Sequence, residues 1–494
     1  MSNYFIKMNM KNLIILSFIC LSLFALNSCK SGSTNTSVSK LLGCDLSQKE
    51  FDKAEVFEPL SETSSDNEMP SKISLLQYAP KRLSQGGKGS CTSWAACYAA
   101  GTILWAQAKG EDPNTLAFSP DFIYNQMTEG NCTGTHIGNS LKLIVQGGLL
   151  PLTVFPYNEN GCDLMPSNDE KQQAKQFKLK GFNRLTLNGD DYKIDLQAIK
   201  QNLAQKAPVV IGMLVGGTFY DVTDVWEPTK KDRKNMKESS DGHIVDDGNN
   251  SAFGGHAMCV IGYDDNKNGG SFQIMNSWGN DWGNDGLFWM KYDDFEEFVN
   301  SFYGEAYGLY PMGSKDKKVE NEFVAGISLV INKSEESIPF THIDNNTFET
   351  EEKFKAGTTF KIAVRNEIEC YTYVFGKETD GSSYVLFPYT KKHSAYCGIT
   401  GTRLFPKDHS LQLDNKGKKD EMAVVFTKEP IDYKELNEKI SEGTADTYEE
   451  RIKEALGDQC INKVKFKDGN EIKFKANSKG KNAVVVVFQI NKRK

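Results

Sequence analysis

Three short islands, far apart in the chain, constrain this sequence more than anything else in it. They are Gln85-Gly-Gly-Lys-Gly-Ser-Cys91-Thr-Ser-Trp94, then Gly255-His256-Ala257, then Asn276-Ser-Trp278-Gly279. In that order they supply a thiol, an imidazole and a carboxamide. A thiol is a poor nucleophile until it is a thiolate. A neighbouring imidazole that takes the proton, together with a helix N-terminus, lowers its pKa by several units. The Gly-rich turn ahead of Cys91 and the Ala/Trp/Tyr-rich stretch 94–107 behind it predict that Cys91 starts a helix, where the backbone dipole favours a negative sulfur. Apolar runs after His256 and before Asn276 predict two strands. A fold that uses all three groups must bring a helix start against a sheet.

These residues resemble the papain-like cysteine peptidase family, position by position. The resemblance implies that Cys91 is the nucleophile, His256 the general base and Asn276 the residue that fixes the imidazole tautomer. Gln85, six positions before the cysteine, matches the family's glutamine, whose side-chain amide forms the oxyanion hole with the cysteine N–H. Trp278 matches the indole that covers the histidine–asparagine bond, and Cys132-Thr-Gly134-Thr resembles the segment whose glycine backbone pairs with substrate. Gly134 and Trp278 are thus the substrate-side candidates. Relatives carry disulfides where Cys132 and Cys162 lie, and whether these two pair is left open. The sequence also departs from the family. Lys88 stands where a second cysteine is usual, and Thr92 where an aromatic follows the nucleophile. The gaps to His256 and Asn276 exceed the roughly 130–150 residues usual for the family. The surplus falls in the polar stretch 227–250, an insertion expected to restrict the groove.

The chain opens with Lys7 and Lys11, an apolar run over 13–26, and Leu26-Asn-Ser-Cys29. A basic start, a short apolar run and small residues form a secretory signal, too short to span a membrane comfortably. The last string resembles a bacterial lipobox. That implies a signal peptide over 1–28, with Cys29 as a lipid-modified terminus that anchors the protein to a membrane. The expected location is the bacterial cell envelope. Lys30 in place of aspartate favours the outer membrane. The Ser-rich stretch that follows suggests a polar tether over 29–68. It lacks the length and periodicity of the inhibitory prosegment found in many papain relatives, so no zymogen of that type is expected.

At 494 residues two domains are expected. A net charge of −7 leaves neither a nucleic-acid footprint nor a polybasic membrane patch. Residues 91–180 read mostly as helices, with Ser119-Pro120 as a cap and first turn, and residues 208–310 read as strands. A helical half followed by a β-rich half is what the resemblance implies, a papain-like two-subdomain α+β fold expected over 69–312. A connector (313–328) leads to a separate β-rich domain (329–494) with a helical insert near 432–457 and a closing strand over 483–490. The second domain resembles an uncharacterised accessory domain that follows papain-like and caspase-like domains in bacterial surface proteins, and no partner for it is named. Cys97 and Cys259 read as buried small hydrophobes, and of Cys370, Cys397 and Cys460 at least one lacks a partner in its own domain. Residues 264–270 read as a hairpin turn rather than a calcium loop, because Met275 stands where a bidentate glutamate is needed. His136, His243, His342, His393 and His409 have no metal-ligand spacing, and neither metal nor organic cofactor is expected. The resulting expectation is a lipid-anchored, secreted cysteine endopeptidase acting on proteins or peptides. Its rivals are an exopeptidase or peptide-ligase variant of the same triad, and a surface-binding lipoprotein that keeps the fold without turnover.

Overall fold

A computed structural model of the chain describes residues 42–56, 58–62, 69–186, 193–240, 253–301, 303–312, 322–331, 337–467, 469 and 471–493. The signal and lipobox, including Cys29, lie outside these residues, as does His243.

The first domain is built on an eight-stranded sheet. Its strands are β1 (Lys72–Ser74), β2 (Phe182–Arg184), β3 (Val209–Val215), β4 (Val225–Trp226), β5 (Gly254–Asp264), β6 (Ser271–Met275), β7 (Leu287–Lys291) and β8 (Glu305–Leu309). They run in the order β2-β8-β3-β5-β6-β7-β4, with β1 on β5. Every residue of β3 is buried, as its unbroken run Val-Val-Ile-Gly-Met-Leu-Val suits a strand covered on both faces. The register sets Met213 opposite His256 and Cys259 opposite Met275, so β5 and β6 deliver the imidazole and carboxamide to one end of the sheet. Residues 264–270 form the hairpin turn between them, with Asp264 opposite Ser271.

The helical half packs against that sheet. Cys91–Ser93, Trp94–Gly101 and Thr102–Lys109 follow one another as a single helix whose middle is π-helical, a distortion frequent at functional sites. Its alanines let the backbone approach β5 closely, and Cys97 and Cys259 are buried as expected. Ser119 caps Pro120–Thr128 by accepting from the Phe122 N–H, with proline in the first turn. Cys132 and Cys162 are joined in a disulfide.

The N-terminal stretch read as a polar tether is a correction in its described part. Cys44, Leu46, Phe51, Val56 and Leu60 are all buried, so residues 42–56 and 58–62 are packed chain. The apolar residues are too sparse to show a period, and their partners are distant in sequence.

The second domain starts earlier than expected. Glu322–Ile331 is already one of its strands, alternating Phe323, Ala325, Ile327 and Leu329 into its core. Two sheets enclose that core, and the helices Tyr433–Glu442 and Tyr448–Leu456 cover the outer face of one of them. Ala483–Arg493 is the closing strand, and it lies centrally, between Thr347–Thr350 and Lys419–Thr427. Val484, Val486 and Phe488 face the other sheet, while Val485 and Val487 face the helices, which is why the run is apolar throughout. Cys370, Cys397 and Cys460 are free and buried.

Candidate active site

Cys91 begins its helix after Ser90, whose hydroxyl lies 2.8 Å from that of Tyr157. Cys91 and His256 are both fully buried. The backbone N–H groups of Ala257 and Gly43 lie near enough to the Cys91 sulfur to favour its thiolate, which places the thiol beside the residue that follows the histidine. His256 Nε2 lies 2.8 Å from Asn276 Oδ1. That oxygen also accepts from the Ser277 N–H at 2.8 Å, so it is an acceptor twice over and Nε2 must carry the proton. His256 Nδ1 has no hydrogen-bond partner among the described residues, and it is the basic nitrogen.

Aromatic rings close the site above the imidazole. The Trp278 ring lies 4.9 Å from that of His256, stacks parallel on Tyr220 at 5.4 Å and meets Trp282 edge-on at 5.3 Å. Such offset and edge contacts are the favoured aromatic geometries. Burial pushes the Cys91 thiol up to about 11, against the backbone N–H groups that favour the thiolate. Burial also pushes the imidazole down to about 4, against the Asn276 bond that favours its charged form. In this closed arrangement the pair is neutral thiol and neutral imidazole.

Gln85 is buried, and its side chain is clamped at both ends. Its Oε1 accepts from the Ser277 hydroxyl at 2.6 Å and its Nε2 donates to the Lys88 carbonyl at 2.8 Å. Its backbone N–H donates to Ser277 O at 2.8 Å, and its carbonyl accepts from Tyr157 at 2.8 Å. Lys88 holds the loop from below. Its Nζ meets Asp121 Oδ1 at 2.5 Å and donates to the carbonyls of Asn158 (2.8 Å) and Gly161 (3.0 Å), with the Tyr157 ring 4.2 Å away. Burial drives Lys88 down and Asp121 up, and each partner's charge opposes the shift of the other. A buried ion pair thus occupies the place where a second cysteine was expected.

The cleft itself is filled. Residues 42–46 run through it as an extended strap. The Thr135 N–H donates to Gly43 O at 2.8 Å, and the Asp45 N–H donates to Thr135 O at 2.9 Å. On the other rim the N–H groups of Gly43 and Cys44 donate to Gly255 O at 3.3 and 3.1 Å. Cys44 and Thr135 pair in parallel. A Cβ at Gly43 would stand 2.1 Å from Gly89 O, so glycine is required where the strap crosses the loop ahead of Cys91. The Cys44 sulfur and Leu46 lie against Gly212, and behind them His136 Nε2 meets the buried Glu305 carboxyl, while His136 Nδ1 accepts from the Gly138 N–H. Burial raises the Glu305 carboxyl, against the hydrogen bond from His136 that lowers it.

Cys91, His256, Asn276, Gln85 and Trp278 therefore come together, as their order in the chain suggested. The groove backbone that pairs with an extended chain belongs to Thr135, and Gly134 sits one residue earlier against Gly43 O. A short N-terminal strap fills the cleft without the long prosegment that the sequence lacks. Lys88–Asp121, His136–Glu305 and the strap were not found from sequence. Only Ser277, inside the Asn276-Ser-Trp278 string, had a visible signal. The first part of the inserted stretch is the helix Lys230–Ser240, fixed by Arg233 to Asp294 at 2.5 Å and by Asp232 to Thr218 at 2.6 Å. Residues 241–252 lie outside the described residues.

Residues 80–301 match the family described as papain family cysteine protease, and residues 353–430 match a domain of unknown function (DUF4384). An uncharacterized peptidase C1-like protein of Acanthamoeba polyphaga mimivirus is 31% identical over 227 residues, covering 45% of this chain and 67% of that protein. The cathepsin B-like CP2 of Giardia intestinalis is 25% identical over 214 residues, covering 43% of this chain and 64% of that protein. The chain thus spans about two thirds of the length of these relatives. Among solved structures, xylellain, a cysteine protease from Xylella fastidiosa, aligns with a TM-score of 0.43 at 22% identity, over 55% of this chain and 96% of that one.

Proposed function

The chain belongs to the papain family of cysteine proteases, and on that premise we propose that it is an endopeptidase working through Cys91, His256 and Asn276. In the proposed reaction the strap first leaves the cleft. Water and substrate then relieve the burial that holds the pair neutral, and the Cys91 proton passes to His256 Nδ1. The thiolate attacks the peptide carbonyl, the imidazolium protonates the leaving amine, and water hydrolyses the acyl-enzyme with His256 as base. Gln85 and the Cys91 N–H stabilise the oxyanion. Trp278 shields the His256–Asn276 bond. Thr135 and Gly255 hold the substrate backbone, as they hold the strap, which favours recognition along a chain rather than at a chain end.

The observation that carries this reading is the doubly occupied Asn276 oxygen, which leaves His256 Nδ1 as the lone basic nitrogen next to a thiol at a helix start. The further reading is that the protein is secreted and held in a bacterial envelope by lipid on Cys29. It rests on the Leu26-Asn-Ser-Cys29 string alone. The reaction is tested with a thiol-directed epoxysuccinyl inhibitor. It should label Cys91 once the strap is displaced, and labelling confined to other cysteines would reject the assignment.

A further inference from the structure

The strap does not end in the cleft. Past Leu46 the chain makes one helical turn, Gln48–Phe51, whose Phe51 ring is fully buried beneath the Arg184 guanidinium at 4.5 Å. It then continues as a belt over residues 52–56 and 58–62 that is bonded to both domains. Val56 forms parallel bridges with Arg184, on the peptidase edge strand β2, and with His393 of the second domain. The Arg184 N–H donates to Glu55 O at 3.0 Å, while the Val56 N–H donates to Lys392 O at 2.6 Å and the Ser394 N–H to Val56 O at 3.0 Å. Further along, Arg403 Nε donates to Glu58 O at 2.9 Å and the Ser61 N–H to Thr402 O at 2.7 Å. On the peptidase side, the Gln201 carboxamide brackets Leu60, accepting from its N–H and donating to its carbonyl, both at 2.9 Å.

We propose that the C-terminal domain is an intramolecular anchor for the segment that fills the active-site cleft, so that its grip on the belt sets how often Cys91 is uncovered. The strap on its own is held by a few backbone bonds, each worth about 1 kcal/mol net. The belt carries as many backbone bonds and, in addition, side-chain bonds from Arg403 and Gln201, and several of its bonds go to the second domain. One turn of helix pinned by Phe51 leaves little slack between the two, so a strap that swings out must strain or lift the belt. This gives the second domain a role inside its own chain: it holds a segment that its neighbour must release. The inference uses the peptidase reading only in choosing Cys91 as the thiol to watch.

The experiment is alkylation of Cys91 by iodoacetamide in the full chain, read by peptide mass spectrometry. Gly43→Val should displace the strap directly, because even a Cβ there meets Gly89 O at 2.1 Å, and Cys91 alkylation should speed up. Ser61→Pro removes a belt N–H, and Arg403→Lys removes the Nε–H to Glu58 O. Both should raise the Cys91 rate about tenfold, the equivalent of about 1.4 kcal/mol, at unchanged thermal unfolding. If Gly43→Val speeds alkylation and neither folded belt variant does, the anchor is overturned. It is equally overturned if Gly43→Val has no effect. Should the belt variants fail to fold, amide exchange in the unsubstituted chain decides. Protection of Asp45 and Thr135 that is lost together with that of Val56 and Ser61 supports the anchor, and faster, independent exchange at the strap rejects it. A chain that alkylates as predicted yet cleaves no peptide would keep the anchor and refute the peptidase reading.

Discussion

Asn276 Oδ1 stands 2.8 Å from His256 Nε2 and accepts the hydrogen bond its N–H donates, while the Ser277 N–H donates to the same oxygen from the other side. Because both bonds end on Asn276 Oδ1, the amide orientation and the imidazole tautomer are fixed together. In the proposed mechanism Asn276 thereby orients the base but moves no proton.

Asn276→Ala should accordingly slow peptide hydrolysis while leaving activity that can be measured. His256→Ala should lose about 10²–10⁴-fold, the usual worth of general acid–base catalysis. Turnover numbers on a blocked peptide, in protein shown to be folded, separate the two. Equal losses would mean that the division of roles is wrong.

Lys88 and Asp121 make a different prediction, about stability. Lys88→Met leaves the Asp121 carboxylate buried without its partner, and should cost about 3–5 kcal/mol in denaturant unfolding. Adding Asp121→Leu to Lys88→Met should recover much of that loss, because replacing both charges by apolar groups is often nearly neutral. A single mutant as stable as the parent would show that the pair does not hold the loop.

Glu58, in the belt, gives the pH dependence. Burial pushes its carboxyl up to about 8, aided by Asp408 and Asp195 and opposed by Lys407 and Arg403. A raised folded pKa means that the folded chain holds this proton more tightly than the unfolded chain. Its contribution is full below the ordinary carboxylate range and is lost as pH rises through about 8. Glu58→Gln should therefore change thermal stability little near pH 5 and raise it near pH 9, by on the order of 3 kcal/mol. Parallel stability curves for parent and variant would contradict this.

Much of the site was legible because its chemistry is written in contiguous strings. Gln85 to Cys91 is one turn and helix start, and Asn276-Ser-Trp278 is one strand end, so residue type and spacing alone point to thiol, base and orienter. The two-domain α+β organisation was legible for a similar reason, since the unbroken apolar run of β3 and the helical patterns are local signals. What was not legible depends on pairing across distance. Leu42 to Leu46 reads as ordinary polar-flanked sequence until Thr135 and Gly255 are brought to either side of it. Lys88 reads as a surface lysine until Asp121, Asn158 and Gly161 converge on its ammonium group. Glu322–Ile331 was split between connector and domain because the polar residues beside it obscured where its alternation begins.

Lipid attachment at Cys29 is tested without reference to catalysis. Mass spectrometry of the mature N-terminus should find Cys29 modified with two or three acyl chains, since stable anchoring takes more than one. An unmodified mature terminus beyond that residue would remove the anchor and leave the peptidase assignment standing.

The central claim is that Cys91 is the nucleophile. It is tested most directly by hydrolysis of an internally quenched peptide, blocked at both ends, by the Gly43→Val chain with and without Cys91→Ala. The account predicts cleavage by Gly43→Val and none above background when Cys91→Ala is added to it. Undiminished cleavage by the doubly substituted, folded chain would contradict it.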